Sequence, residues 1–143
     1  SILGELMKIS NAEIKIIGGI NETEEADRII DRFKRSKNIE NMCGKGTPAD
    51  LFALIDGSDL LITSNSGPMH IAGLLKIPVL AVFSFTEIPA VWGPFNHGLV
   101  LTSSFYYPCR DCHYIECPYG SPKCIDDIPS ETIVFEAKRL LGL

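Results

Sequence analysis

The sequence predicts an α/β fold: a parallel sheet with right-handed crossovers, helices on both faces, and an irregular Cys-rich loop before the last helix. Two observations predict it. Short apolar runs of strand character alternate with amphipathic helical segments along the chain. The chain has 143 residues, 45% of them hydrophobic, with a mean hydropathy of +0.15, enough for a real core in one domain spanning 1–143.

Ile2, Leu3, Leu6, Met7 and Ile9 have helical spacing before the polar stop Ser10-Asn11. Residues 13–17 alternate and run into Gly18-Gly19, predicting a strand with a Gly-rich exit. Ala26, Ile29, Ile30 and Phe33 fall at i, i+3, i+4 and i+7, one face of a helix capped by Asn21 or Thr23. Acidic residues crowd its first turn, where the helix dipole favours them. Residues 38–43 read as a short strand ending at Gly44-Lys45-Gly46. Thr47-Pro48-Ala49-Asp50 joins a cap, a proline at the first helical position and an acid at the third, so a helix begins there. Leu51, Leu54 and Ile55 face its core side and Gly57 ends it. A strand over 59–63, a helix over about 68–75 and a strand over 79–83 follow. Pro89 to Trp92 forms a short helical turn and 99–101 a small strand. Residues 104–129 form the Cys-rich loop, and Ser130 caps a terminal helix, 130–143, with Ile133, Val134, Ala137, Leu140 and Leu141 on its apolar face. There is no internal repeat.

Net charge of −5 and a pI near 5.1 argue against a nucleic-acid or anionic-membrane surface. A phosphate ligand stays compatible, because a helix N-terminus and a few cations hold one without a basic exterior. No apolar run approaches the length of a bilayer span, and the first residues lack a charged-and-apolar leader. The opening segment already reads as a helix in mid-fold, so the chain is expected to be a separated part of something larger.

Ser64-Asn65-Ser66-Gly67-Pro68-Met69-His70 carries the most chemistry. A strand passing through this turn into a helix presents unpaired N–H groups and partial positive charge at the carboxyl edge, where α/β sheets bind ligands. Gly67 lets a ligand approach the backbone, and Pro68 gives up an N–H that the helix would leave unpaired. The turn reads equally as an ordinary connection capped by Ser66. His70 points back over the first helical turn.

These residues resemble a family. Gly18-Gly19-Ile20-Asn21-Glu22 resembles the Gly-Gly-x-x-Glu that follows a strand in family 9 glycosyltransferases, the lipopolysaccharide heptosyltransferase family. The segment from Gly44 to Ile55 resembles G-K-T-x-L-x-E-L-A-A-L-I, and that from Ser58 to His70 resembles A-D-L-V-I-T-N-D-S-G-P-M-H. The 78–83 strand, Trp92-Gly93-Pro94 and the Cys tail follow in order. The resemblance covers most of the chain from Gly18 onward. It implies the C-terminal, Rossmann-like half of an inverting GT-B enzyme. This half binds the nucleotide-sugar donor, here ADP-heptose. An N-terminal acceptor domain, absent from this chain, brings the lipopolysaccharide inner core and the base. Cytoplasmic residence, peripheral at the inner membrane, follows from the same likeness, with no cofactor required for transfer. Position by position, Ser66 and Gly67 would contact the diphosphate, with Ser64, Asn65 and Pro68 in the same turn, and His70 the phosphate or sugar. Glu22 would accept from ribose hydroxyls, although it reads equally as a solvated acid near a helix start. Thr86, with Ser84, would line the cleft floor. Asn65 stands where the family has Asp, and Ser84-Phe85-Thr86 replaces Gly-Pro-Thr; both leave the transferred sugar open.

Cys109, Cys112, Cys117 and Cys124 supply four tetrahedral ligands for a structural zinc, with disulfides or free thiols as the alternatives; His113 could replace one. An iron–sulfur cluster fits the ligand count as well. Cys43 reads as a small buried hydrophobe, and His97 as a surface or loop residue. No catalytic base is identified: Asp56, Asp59, Asp126 and Asp127 read as helix-end, turn or loop carboxylates. Two other functions stay open: a GT-B nucleotide-sugar enzyme with another donor, and a non-catalytic, metal-stapled interaction domain.

Overall fold

A computed structural model describes the chain except for residues 10–11, 34–36, 87, 96–97, 104–107, 110–111 and 113–115. The polar stop at Ser10-Asn11, His97, His113 and part of the Cys-rich loop therefore lie outside the described residues. Two units divide the chain, Ser1–Ala49 and Asp50–Leu143.

In the first unit, Ser1 caps α1 (Ile2–Leu6), its hydroxyl accepting from the Gly4 N–H at 3.3 Å. Strand β1 (Ile14–Ile16) leads through a 3-10 turn (Ile20–Glu22) into α2 (Thr23–Asp31) and then β2 (Ile39–Asn41). The strands pair in parallel, Ile14 opposite Ile39 and Ile16 opposite Asn41. Beyond them the Gly44 N–H still donates to the Gly18 carbonyl at 3.0 Å. Ala26 turns the α2 face inward at 3% exposure. Asn41 joins strand to helix: its Nδ2 donates to the Thr23 carbonyl at 3.1 Å and to Asp27 Oδ1 at 2.6 Å. Its Oδ1 accepts the Cys43 N–H at 2.9 Å, so one amide satisfies groups from three places.

The start of α2 differs from the sequence reading. Glu22, not Asn21 or Thr23, occupies the cap position. Thr23 is already helical, and its hydroxyl donates to the Ile20 carbonyl at 2.8 Å. A 3-10 turn precedes the helix, and the hydroxyl is spent on that turn rather than on an orphan amide.

Helix α3 (Pro48–Asp56), which starts at the end of the first unit, precedes β3 (Leu61–Thr63), α4 (Gly67–Leu75) and β4 (Val79–Val82) of the second. After them come α5 (Pro89–Trp92), β5 (Gly98–Leu101), α6 (Lys123–Asp126) and α7 (Ser130–Leu140). The strand order is β3-β4-β5, all parallel, with Leu61 opposite Val79 and Val82 opposite Leu101. The parallel strands thus pair as a two-stranded and a three-stranded sheet, one in each unit.

Central strand β4 is apolar throughout, as a parallel strand buried on both faces requires. Val79, Leu80 and Ala81 are fully buried, joined by Met69 and Ala72 of α4, Ile55 of α3 and Ala137 of α7. Pro129 holds the cap position of α7, and Ser130 is its first helical residue without a capping bond. Proline enters in extended geometry with φ −62° and ψ 134°, so the helix begins at Ser130 itself, one residue earlier than a Ser130 cap would start it. Helix α6, inside the segment read as irregular, is one turn, stabilised by Asp126 and Ile125 N–H bonds to the Pro122 carbonyl.

Candidate functional site

The carboxyl edge of the β3–β4 pair forms an open cavity of about 200 Å³, lined by Ser64, Asn65, Val82, Ser84, Thr86 and Ile125. Strand periodicity builds one wall. Val82, Ser84 and Thr86 alternate with Phe83 and Phe85, which are 1% and 4% exposed, so the polar side chains face the opening and the aromatics anchor the loop in the core. Ser84 Oγ and Thr86 Oγ1 share a hydrogen bond of 2.6 Å, which orients both hydroxyls. Ser64 and Asn65 arrive from the end of β3. The cavity thus brings together Ser64, Asn65 and Thr86 of the predicted donor residues, along with Ser84. Among the described residues, none of its lining side chains carries a charge.

Ser66, Gly67, Pro68 and His70 lie at the adjoining start of α4. Ser66 occupies the cap position, with an extended backbone at φ −155° and ψ 163°. Its hydroxyl bonds to Thr63 Oγ1 at 2.8 Å instead of to an amide of the first turn. The first turn holds no acidic side chain, so nothing within it neutralises the dipole's positive end. Gly67 is exposed, and a Cβ there would meet no atom within 4 Å. Fully buried Met69 pins this turn from beneath.

His70 is half-buried, its ring 6.1 Å from that of Phe95 with the planes tilted by 56°. One turn further along, a Cβ on Gly73 would come within 3.0 Å of the Phe95 carbonyl oxygen. The glycine lets the Phe95 backbone lie against α4.

Glu22 belongs to the first unit. Its Oε2 accepts the Gly19 N–H at 2.6 Å, folding the carboxylate back over the Gly-rich exit of β1. A Cβ on Gly18 would stand 2.6 Å from that oxygen, so glycine is needed for the carboxylate to reach this place. Buried Cys43 lies close by. Its thiol is pushed above its ordinary value of 9.0, first by burial and then by the charges of Glu22 and Asp27.

All five cysteines are free. Cys117 Sγ donates to the Ser121 carbonyl at 3.2 Å, and desolvation, followed by the neighbouring Cys112, pushes the Cys109 thiol upward. Among the described residues no three His, Cys, Asp or Glu side chains converge to hold a metal ion.

Sequence reasoning missed Val82 and Ile125. Val82 had a signal, since it shares the period of Ser84 and Thr86. Ile125 had none, because it rides on a helix hidden in a Cys- and Pro-rich stretch.

A hydroxyl- and amide-lined cavity beside the α4 start, at the carboxyl edge of parallel strands, marks an α/β domain with its opening where such folds bind ligands. The chain belongs to glycosyltransferase family 9 (heptosyltransferase), whose sequence profile matches residues 3–122. It is 33% identical over 132 residues to lipooligosaccharide heptosyltransferase 2 of Campylobacter jejuni, covering 90% of this chain and 41% of that protein. The structure of E. coli ADP-heptose lps heptosyltransferase II superimposes with a TM-score of 0.73 at 20% identity, over 91% of this chain and 36% of that one. A family 9 glycosyltransferase from Veillonella parvula gives the same score and coverage at 25% identity. The observed α/β fold is therefore the one expected of this family, and the chain spans about two-fifths of the length of the curated relative. Among the described residues no helix is long and apolar enough to cross a membrane.

Proposed function

We propose that this chain is the donor-binding part of an inverting heptosyltransferase of GT-B architecture that takes ADP-heptose and extends the lipopolysaccharide inner core. The observation that carries the reading is the start of α4, where Gly67 leaves the backbone open to solvent and the Ser66 hydroxyl is engaged elsewhere. A leaving diphosphate gathers negative charge as the glycosidic bond breaks, and fixed amides at a helix N-terminus stabilise that charge without reorganising. Ser66 and Gly67 would face the diphosphate, with His70 on the same helix and Ser64 and Pro68 flanking them. Asn65 and Thr86 would meet the uncharged part of the donor, and Glu22 the ribose hydroxyls. The acceptor and the base that deprotonates it are assigned to the remainder of a longer protein, working at the cytoplasmic face of the membrane.

Calorimetric titration with ADP tests this. Binding at millimolar ligand or tighter is expected, and an absence of both heat and thermal shift would sink it. Comparing ADP with UDP and GDP separates the ADP-sugar reading from another GT-B donor. A structural zinc on Cys109, Cys112, Cys117 and Cys124 is a separate proposal, and one that would require the thiols to draw together. Elemental analysis decides it: one zinc per chain supports it, and none removes it. Bound zinc with no nucleotide binding would favour a metal-stapled interaction domain instead.

A further inference from the structure

We infer that Ile125 is a specificity-determining residue of the site, the apolar wall against which the sugar ring of the donor packs. This rests on the donor-site reading above. Ile125 lies beyond the 3–122 span shared with the family profile, so the family match does not supply it.

The cavity is two-sided in character. Ser64, Asn65, Ser84 and Thr86 offer hydroxyl and amide groups, all neutral, whereas Val82 and Ile125 offer hydrocarbon. Among the described lining residues a phosphate would find no cation, and a planar cation no carboxylate. A glycosyl ring suits such a lining: its hydroxyls need neutral donors and acceptors, and its C–H face needs an apolar surface.

The position of Ile125 is fixed from both sides. Upstream, the Cys117 thiol donates to the Ser121 carbonyl, and the Ser121 hydroxyl bonds to Asp126. Within α6, the Ile125 N–H donates to the Pro122 carbonyl at 2.7 Å. Downstream, the Ile128 N–H donates to the Ile125 carbonyl at 3.0 Å, and Ile128 is anchored in the core at 8% exposure. Ile125 itself is 38% exposed, so its side chain is held at the cavity yet not consumed by the core. The Cys-rich segment thereby delivers an apolar side chain to a site whose other walls come from the sheet.

The test compares ADP with ADP-heptose in calorimetric titrations of the parent protein and of Ile125→Ala and Ile125→Val. Neither change touches a backbone bond, and thermal unfolding checks that both variants fold. Ile125→Ala should weaken ADP-heptose binding by about tenfold, the scale of a lost apolar contact in a binding pocket. Ile125→Val should fall between, and ADP should bind all three proteins alike. Equal losses for ADP and ADP-heptose would overturn the inference by placing Ile125 against the nucleotide. No loss for either ligand would overturn it by removing Ile125 from the site. A parent protein that binds neither ligand would instead sink the donor-site reading on which this one rests.

Discussion

Gly67→Ala separates a glycine needed by the fold from one needed by a ligand. Gly67 is the first residue of α4, has no positive φ, and would place a Cβ in open space. Its backbone accepts alanine without strain, and alanine restricts the unfolded chain more than glycine does. The expected effect on stability is a gain of about 0.4–1 kcal/mol, or a Tm increase of a few degrees for a chain of this size. The same methyl group would stand beside the amide that a diphosphate oxygen must approach. Losing one charge-assisted hydrogen bond costs about 1.5–3 kcal/mol, which is roughly ten- to a hundredfold in Kd. The two readouts therefore move in opposite directions, Tm upward by differential scanning calorimetry and ADP affinity downward by titration. Undiminished ADP affinity in Gly67→Ala would refute the placement of the diphosphate at this helix start.

His70→Ala should weaken ADP binding in the same titration, and an unchanged Kd would leave His70 as no more than a packing partner of Phe95. Lys76 sits in the left-handed region at φ 62°, ending α4 while the Ile77 N–H bonds back to the Ala72 carbonyl at 2.9 Å. Lys76→Gly removes a left-handed penalty of about 1–2 kcal/mol, partly offset by the greater freedom of unfolded glycine. Chemical denaturation should show a net gain of up to about 1 kcal/mol, and a loss would mean that the lysine side chain supports the helix end. For Cys43 the native thiol holds its proton above the ordinary value of 9.0. The unfolded thiol ionises first, so stability should fall as pH rises past about 9 and level off once the native thiol also ionises. Cys43→Ala should flatten that part of the stability–pH curve, and an unaltered slope would assign it to other groups.

Much of the fold was legible because its signals are local. Pro48 and Pro68 mark the helix starts they were expected to mark, and the run Val79-Leu80-Ala81-Val82 is the central strand, followed by buried Phe83. Cys43 is the buried small residue its setting suggested. Features built from distant partners were not legible. Asn41 matters through bonds to Thr23 and Asp27, well separated in sequence, and an asparagine near a strand end carries no sign of them. Lys76 adopts a conformation usual for glycine, forced by the bond between Ile77 and Ala72 rather than by its own chemistry. The turn at Ser64–His70 could be found in sequence because a strand exit, a glycine and a first-turn proline are consecutive. The cavity could not, because Ile125 reaches it from the far side of the Cys-rich segment.

The separation of charge within the second unit bears on which donors the proposed site would tell apart. The helix start of α4 offers backbone dipoles to an anion, and the described lining of the adjoining cavity is neutral. Backbone amides recognise a diphosphate whatever sugar it carries, so they supply affinity without discrimination. In the proposed donor site, discrimination would fall to Asn65, Ser84 and Thr86 and to the apolar side chains opposite them, since a buried hydroxyl or amide left unpaired by the wrong sugar costs more than a right one gains. Asn65 sharpens this. An amide both donates and accepts, whereas a carboxylate at the same place would only accept and would repel the neighbouring diphosphate. A neutral residue there would relax that repulsion in the proposed donor site and admit sugar substituents that need a donor, which a carboxylate would turn away.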